Sequence, residues 1–301
     1  MAAPLVIGVD VGGTKILSGI VDREGLVLDR YELESPGSSE EDVVGALDAA
    51  VEALLGDGIE AIGFGIPSNL DRHTGHVLLA TNLPLDDFDL DGHARTRFGL
   101  PVAVENDANA ATLAEWKLGA GRGVSNLVML TLGTGVGGGI VLDGHLYRGW
   151  AEVGHMVMDV DGPPCQGNCH GRGHLEVLAS GTAADRAATE FWGPGADAYV
   201  LVERARAGDP DARARLGEIA EILGAAIGSL VNLFDPELVV VGGGFGEAAG
   251  ELLLAPAQER ARREALAPAD ETLRVVSAEL GADAGLVGAG LIALEALDGG
   301  R

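Results

Sequence analysis

The sequence predicts an α/β protein of two lobes, and three observations carry the prediction. Apolar, β-branched runs of strand length alternate with Ala/Leu-rich stretches of helical period along the whole chain. A strand, Gly turn, strand, acidic turn pattern occurs twice, as Asp10-Val-Gly-Gly-Thr-Lys-Ile-Leu-Ser-Gly-Ile-Val-Asp22 and as Thr131-Leu-Gly-Thr-Gly-Val-Gly-Gly-Gly-Ile-Val-Leu-Asp143. No long linker or low-complexity tract interrupts the 301 residues, a length suited to one large domain or two ordinary ones. The repeat reads as an internal duplication, with one Gly-rich hairpin founding each lobe. Two such hairpins facing each other across a cleft would clamp phosphates with backbone N–H groups.

Residues 5–33 read as strand, Gly turn, strand, turn, strand. Gly12 and Gly13 permit close approach of a ligand, Thr14 adds a hydroxyl, and Asp10 ends the first strand where it can hold a metal ion or its water shell. An ordinary hairpin turn explains the same residues, and no Walker P-loop occurs. Residues 38–56 form a helix that opens on Glu40, Glu41 and Asp42. Ala61 to Ile66 is a buried strand ending in Pro67-Ser68-Asn69. Residues 68–99, with Asn82 and the acids of 86–91, read as loop plus a short helix. Pro101 to Glu105 is a strand and Ala108 to Leu118 a helix. Asp107 therefore stands at a strand-to-helix junction, where α/β sheets place functional groups; taken alone it reads first as the helix cap.

Asn126 to Leu132 is the next strand. Gly133-x-Gly135-x-x-Gly138 after it is formally a dinucleotide fingerprint, but a strand and not a helix follows, so the context fails. From Ser180 to Ala207 runs an Ala-rich helix broken at Gly193-Pro194-Gly195. Asp211 to Phe234 is a long amphipathic helix ended by Asp235-Pro236. Glu237 to Val241 is a strand opening Gly242-Gly243-Gly244. The helix from Glu247 to Leu266 then gives a strand-turn-helix suited to an adenosine or phosphate group, or simply to tight packing. Leu273 to Ala278 is the last strand and Asp283 to Leu297 the closing helix.

Both cysteines of the protein fall in Glu152–Glu176, a Gly-rich knuckle holding Cys165, Cys169 and three histidines. Tight turns with sulfur and imidazole donors at short spacing are what a closed, four-ligand zinc site requires. The proposed ligands are His155, Cys165, Cys169 and His174, with His170 as the spare; a disulfide and a pair of unrelated cysteines are the alternatives. Glu152 and Glu176 bracket the knuckle and are suited to accept hydrogen bonds from a polyol.

The net charge of −26 argues against nucleic acid or an anionic membrane as partner. No run of 18 uncharged apolar residues and no secretory leader is read, and cysteines better explained by metal fit a cytoplasmic chain.

Taken together the motifs resemble the ROK family of sugar kinases and repressors, and most of all its bacterial ATP-dependent glucokinases. The resemblance is carried by Asp10-Val-Gly-Gly-Thr-Lys, Glu105-Asn-Asp-Ala-Asn-Ala-Ala, Leu132-Gly-Thr-Gly-Val-Gly-Gly-Gly, Glu152-Val-Gly-His, the Gly-His-Leu-Glu of 173–176 and the triplet 242–244. It implies the two-lobed actin-like (ribonuclease-H-like) ATPase fold, with residues 1–107 plus 288–301 in a small lobe and 108–287 in a large one. It further implies Asp107 as catalytic base. Gly65, Asn82, Asn106, Asp107, Glu152, His155 and Glu176 would hold the sugar. Asp10, Gly12, Gly13, Thr14, Thr134, Gly135, Gly243 and Gly244 would hold Mg²⁺–ATP, with Lys15 offsetting phosphate charge. Structural Zn²⁺, D-glucose as substrate and a homodimer complete the expectation. The chain departs from the family at two places. In the usual Cys-x-Cys-Gly-x-x-Gly-Cys-x-Glu knuckle, Cys169 matches the second cysteine, His174 replaces the third, and Cys165 stands two residues before the first. Ser68 occupies a position that is often Gly. Other neutral hexoses, a sugar-responsive repressor and a non-catalytic sugar-binding module are the competing readings.

Overall fold

The computed structural model describes residues 4–37, 39–71, 73–80, 83–167 and 169–299. Asn82, expected to bind sugar, lies outside the described residues. The chain divides into two compact units. One comprises the residues up to Leu118, Arg148–Trp150 and those from Asp283 on; the other comprises Gly119–Tyr147 and Ala151–Ala282.

The first unit opens with an antiparallel meander, β1 (Leu5–Val11), β2 (Lys15–Val21) and β3 (Val27–Glu34). Helix α1 (Glu40–Glu52) follows, its first turn capped by Ser39, which accepts from Asp42 N. Strand β4 (Ile59–Ile66) lies parallel to β1. Residues 68–80, expected as loop, form a small hairpin of β5 (Ser68–Leu70) and β6 (Val77–Ala80). Helix α2 (Leu90–Phe98) runs from the Asp89 cap to a left-handed Gly99. Strand β7 (Val102–Asn106) passes directly into α3 (Asp107–Leu118).

The second unit repeats the plan. Strands β8 (Leu127–Leu132), β9 (Val136–Leu142) and β10 (His145–Leu146) form its meander. Four helices come next: α4 (Leu175–Ala179), α5 (Gly181–Trp192), α6 (Ala198–Arg206) and α7 (Pro210–Phe234). Strand β11 (Leu238–Gly242) leads to α8 (Gly244–Ala249) and α9 (Glu251–Glu264). The expected single helix of 247–266 is thus broken at Gly250, whose φ of 51° ends one helix and starts the next. The short α10 (Ala269–Thr272) and β12 (Val275–Ser277) complete this unit. Helix α11 (Ala284–Leu297) returns to the first.

The duplication read from the two hairpins extends to whole sheets. Their strand orders are β3-β2-β1-β4-β7 and β10-β9-β8-β11-β12, each a three-stranded meander followed by two parallel strands. The central strands read as unbroken apolar runs because both faces are covered. In β1 the alternation is resolved by what packs on each face. Ile7, Val9 and Val11 join the core that includes Val43 and Leu47 of α1, whereas Val6 packs with Ala61 and with Ala293 and Leu294 of α11.

Close approach of α11 depends on glycine on both sides. A Cβ on Gly8 would lie 2.3 Å from Leu286 O, and one on Gly63 would lie 1.9 Å from Ala289 O. A Cβ on Gly288 would lie 1.9 Å from Ala110 O of α3. Helix α3 therefore packs its backbone against α11, and this places the edge of the first unit at Leu118, not at 107, and its return at Asp283, not at 288. Helix α7 is the one described helix long and apolar enough to cross a membrane. Its Leu216, Leu223, Ile227 and Leu230 are instead buried in the core of the second unit.

Candidate active site

The first unit brings its expected groups to the C-terminal ends of three parallel strands. Register aligns Asp10 of β1 with Gly65 of β4, and Gly65 with Glu105 of β7. Side chains alternate, so Asp10 and Gly65 share the face of Gly8 and Gly63, toward α11 and α3. The fit is close. The Asp10 carboxyl lies against the Cα of Gly285, where a Cβ would come within 2.4–2.6 Å of three of its atoms. A Cβ on Gly65 would sit 3.6 Å from the Asp107 Cα. Burial raises the Asp10 pKa from 3.8 to about 7; the Asp107 charge adds to the rise and Lys15 opposes it.

The cap of α3 is Asn106, not Asp107. The Asn106 Oδ1 accepts from Asn109 N at 3.1 Å, while Nδ2 donates to Ser68 O at 3.4 Å. Asp107 is the first helical residue, its Oδ1 accepting from its neighbour Ala108 N at 2.8 Å. The departure at Ser68 is accommodated in place: the residue is buried, and its carbonyl is the acceptor that orients Asn106. Glu105, not expected to matter beyond its motif, is buried beneath this turn. One oxygen accepts from Asn106 N and Asn109 Nδ2 at 3.0 Å each, and the other from Arg148 Nη1 at 2.9 Å. Arg148 also binds Glu295, so one guanidinium braces β7 against α11.

The β1–β2 turn is closed by Gly12 N donating to Lys15 O at 2.8 Å. Gly13 faces open space. Lys15 is paired with Glu32 at 3.1 Å on the neighbouring strand, both side chains being half exposed. Such a pair is worth well under about 1 kcal/mol, so it does not hold Lys15 from a phosphate.

In the second unit the four proposed metal ligands converge. One donor atom each of His155, Cys165, Cys169 and His174 lies within 4.8 Å of all the others. His174 Nδ1 is 3.2 Å from Cys165 Sγ and 3.5 Å from Cys169 Sγ. Zinc–sulfur bonds of about 2.3 Å and zinc–nitrogen bonds of about 2.0 Å put ligand atoms roughly 3.5 Å apart in a tetrahedron, so the set fits zinc with little contraction. A second observation fits equally well. His155 Nδ1 is buried with no hydrogen-bond partner among the described residues, as expected of a nitrogen reserved for a metal. Both thiols are free, with no disulfide. Without a cation the Cys165 thiol is pushed up to about 12, by burial first and then by Glu176 and Cys169.

The expected sugar-binding carboxylates flank this cluster. Glu176 is nearly buried in the first turn of α4, its Oε1 accepting from Cys165 Sγ at 3.1 Å and lying 3.9 Å from His155 Nε2. Glu152 opens the single turn Val153–His155. Loss of water around its carboxyl raises its pKa, His155 opposes the rise, and the charge of Glu176 adds to it. His155 thus turns one nitrogen to the cluster and the other toward the carboxylates.

The same unit holds a cavity of about 410 Å³ lined by Gly133, Thr134, Gly181, Thr182, Asp185, Tyr199, Gly244 and Phe245 among others. Thr134 and Gly244 were expected at a nucleotide; Thr182, Asp185 and Tyr199 carry no sequence motif and were missed. Gly243 has a packing role. Its φ is 82°, and a Cβ there would strike the backbone of Leu132 at 2.6 Å.

A glucokinase of Streptomyces coelicolor is 38% identical over 314 residues, spanning 97% of this chain and 98% of that protein. A glucokinase of Thermotoga maritima is 36% identical, spanning 98% of each. The crystal structure of a ROK family glucokinase from Streptomyces griseus, in complex with glucose and AMPPNP, matches with a TM-score of 0.86 at 38% identity, covering 97% of this chain and 99% of that one. The fold is the two-lobed actin-like α/β fold of these kinases. With the ROK family pattern matched over residues 6–296, paired sheets of one strand order and each expected motif placed at a strand end or turn, the chain belongs to the ROK family.

Proposed function

We propose that this protein is an ATP-dependent glucokinase, transferring the γ-phosphoryl group of ATP to the 6-hydroxyl of D-glucose. The observation that carries the reading is the full-length likeness to named glucokinases, one of them solved with glucose and AMPPNP. Asp107 accepts the proton of the 6-hydroxyl as that oxygen attacks the γ-phosphorus, and the bond from phosphorus to the β–γ bridging oxygen breaks to release ADP. Phosphoryl transfer needs positioning and charge compensation more than covalent help. A cap at Asn106, braced by the buried Glu105 and by Arg148, keeps the start of α3 rigid and suits that need.

Glu152, Glu176, His155 Nε2, Asn106 and Asn82 are assigned to the sugar hydroxyls, with Gly65 leaving room beside Asp107. None of these is a lysine or arginine and two are carboxylates, which favours a neutral sugar over an acidic one. The turns at Gly12–Thr14 and Thr134–Gly135, with Gly243–Gly244 and Lys15, are assigned to the nucleotide. Asp10 would hold the accompanying Mg²⁺, whose charge relieves the cost of ionising that buried carboxyl. Zn²⁺ at His155, Cys165, Cys169 and His174 would be structural, because four protein ligands leave no open position. A homodimer and a cytoplasmic setting belong to the same reading; light scattering of the purified protein tests the former.

The deciding experiment is a coupled ATP assay of kcat/KM for glucose, mannose, fructose and the two N-acetylhexosamines. Glucose is expected to lead. A site that hydrogen-bonds each hydroxyl rejects an analogue lacking one by about 10⁴-fold, because its own polar groups are left unpaired. An N-acetylhexosamine faster than glucose would overturn the glucose assignment and keep the sugar kinase.

A further inference from the structure

The turn between β8 and β9 has an asymmetric set of hydrogen bonds. All three of its carbonyls accept. Gly133 O takes Gly181 N at 2.8 Å, and Gly135 O takes Gly133 N at 3.0 Å. Thr134 O takes two side-chain donors, Thr182 Oγ1 at 2.8 Å and Gln166 Nε2 at 3.1 Å. The N–H groups of Thr134 and Gly135 have no acceptor among the described residues. The peptide group is planar and trans, so the Thr134 C=O and the Gly135 N–H point in opposite directions. Two donors gripping the carbonyl fix that plane and aim the Gly135 N–H away from them. Successive N–H groups without acceptors in a turn form a concavity for an anion.

One of the two gripping donors comes from the knuckle. Gln166 follows Cys165 directly, and Cys165 Sγ donates to Glu176 Oε1. The other Glu176 oxygen lies 2.7 Å, and Gln166 Nε2 3.4 Å, from the position a Cβ on Gly135 would take. The His/Cys cluster, the carboxylate assigned to sugar and the turn assigned to phosphate are therefore packed in direct succession within one unit.

We infer that Gln166 is a positioning residue for the nucleotide. Through the Thr134 carbonyl it holds the Gly135 N–H ready for a phosphate oxygen, and it makes nucleotide affinity depend on the integrity of the His/Cys cluster. The inference rests on the kinase reading. Its rival is that Gln166 only braces the knuckle.

The test uses Gln166→Ala and Gln166→Glu in the full chain, titrated calorimetrically with Mg²⁺–AMPPNP and separately with glucose, with zinc measured by elemental analysis. Loss of one neutral hydrogen bond corresponds to about a 3- to 10-fold rise in Kd for AMPPNP in the Ala variant. A larger rise is expected for Glu, whose oxygen would face the Thr134 carbonyl. Glucose affinity and metal content should be unchanged, and KM should rise for ATP but not for glucose. Unchanged AMPPNP affinity in both variants overturns the inference. So does a joint loss of zinc, glucose and AMPPNP binding, which is the signature of a brace. If the wild type phosphorylates no hexose, the kinase reading fails, and the AMPPNP titration then decides the Gln166 link by itself.

Discussion

Replacing Asp10 by Asn should stabilise the metal-free protein while abolishing its activity, and the gain should depend on pH. The carboxyl ionises near 3.8 in an unfolded chain and near 7 in the folded one, because burial and then Asp107 oppose its charge. Between these values the folded protein keeps a proton that the unfolded chain has released, so stability falls as pH rises through that window and levels off above it. At about 1.36 kcal/mol per unit, the two units between pH 5 and pH 7 amount to on the order of 3 kcal/mol. This is an upper bound, since Asp10 keeps partial contact with solvent. Asn has no such titration. Its advantage over the wild type should therefore be greater at pH 8 than at pH 5, by up to about that amount. Urea midpoints for both proteins at the two pH values, with chelator present, measure the difference directly. An advantage that is equal at both pH values would refute the reasoning, because any packing effect of the substitution is common to both. Saturating Mg²⁺–nucleotide should close the gap by relieving the wild-type carboxylate.

Three further predictions follow from the same geometry. Asp107→Asn preserves size but removes the base, and should lower kcat by roughly 10²-fold or more with glucose binding retained; since Asn106 already caps α3, near-normal turnover would leave Asp107 without a role. One zinc per chain is expected, with loss of thermal stability and glucose affinity on Cys169→Ser or strong chelation; elemental analysis that finds no zinc alongside two titratable thiols would refute the metal. Gly285→Ala should push the Asp10 carboxyl aside and cost about 1–3 kcal/mol of stability as overpacking, with a raised KM for Mg²⁺–ATP. In an Asp10→Ala background the same change should cost far less, and equal cost in both backgrounds would show that the two residues do not press on each other.

The architecture was legible where local pattern and packing agree. Strand runs at 5–11, 61–66 and 127–132 are apolar because they are central strands, and the repeated hairpin marks a duplication that extends to both sheets. The convergence of His155, Cys165, Cys169 and His174 was legible because thiols and imidazoles share one Gly-rich loop. What escaped depended on distant partners. The β5–β6 hairpin has strands of only three and four residues, too short for a strand signal. The boundary at Leu118 is set by α3 meeting α11, more than 160 residues away in sequence, and no local cue carries that. Glycines 8, 63, 285 and 288 read as ordinary; their role is to let backbones touch. Gln166 and Glu105 make hydrogen bonds to the Thr134 carbonyl, to Asn106 N, to Asn109 and to Arg148, which leave no periodic trace. In sequence the cap reads at Asp107, and geometry assigns it to its neighbour Asn106.

Helix α11 has a consequence for the order in which the protein can be built. The second unit is complete once residue 282 has been synthesised, because all of its elements lie between 119 and 282. The first unit begins at the N-terminus but lacks α11 until the chain has reached residue 297. Until then Val6 and Ala61 lack Ala293 and Leu294, their partners on that face of the sheet. On a ribosome the unit that starts first therefore finishes last, against the usual N-terminal-first sequence of domain folding. A nascent chain that follows this order carries one complete lobe beside a sheet that still lacks its last helix.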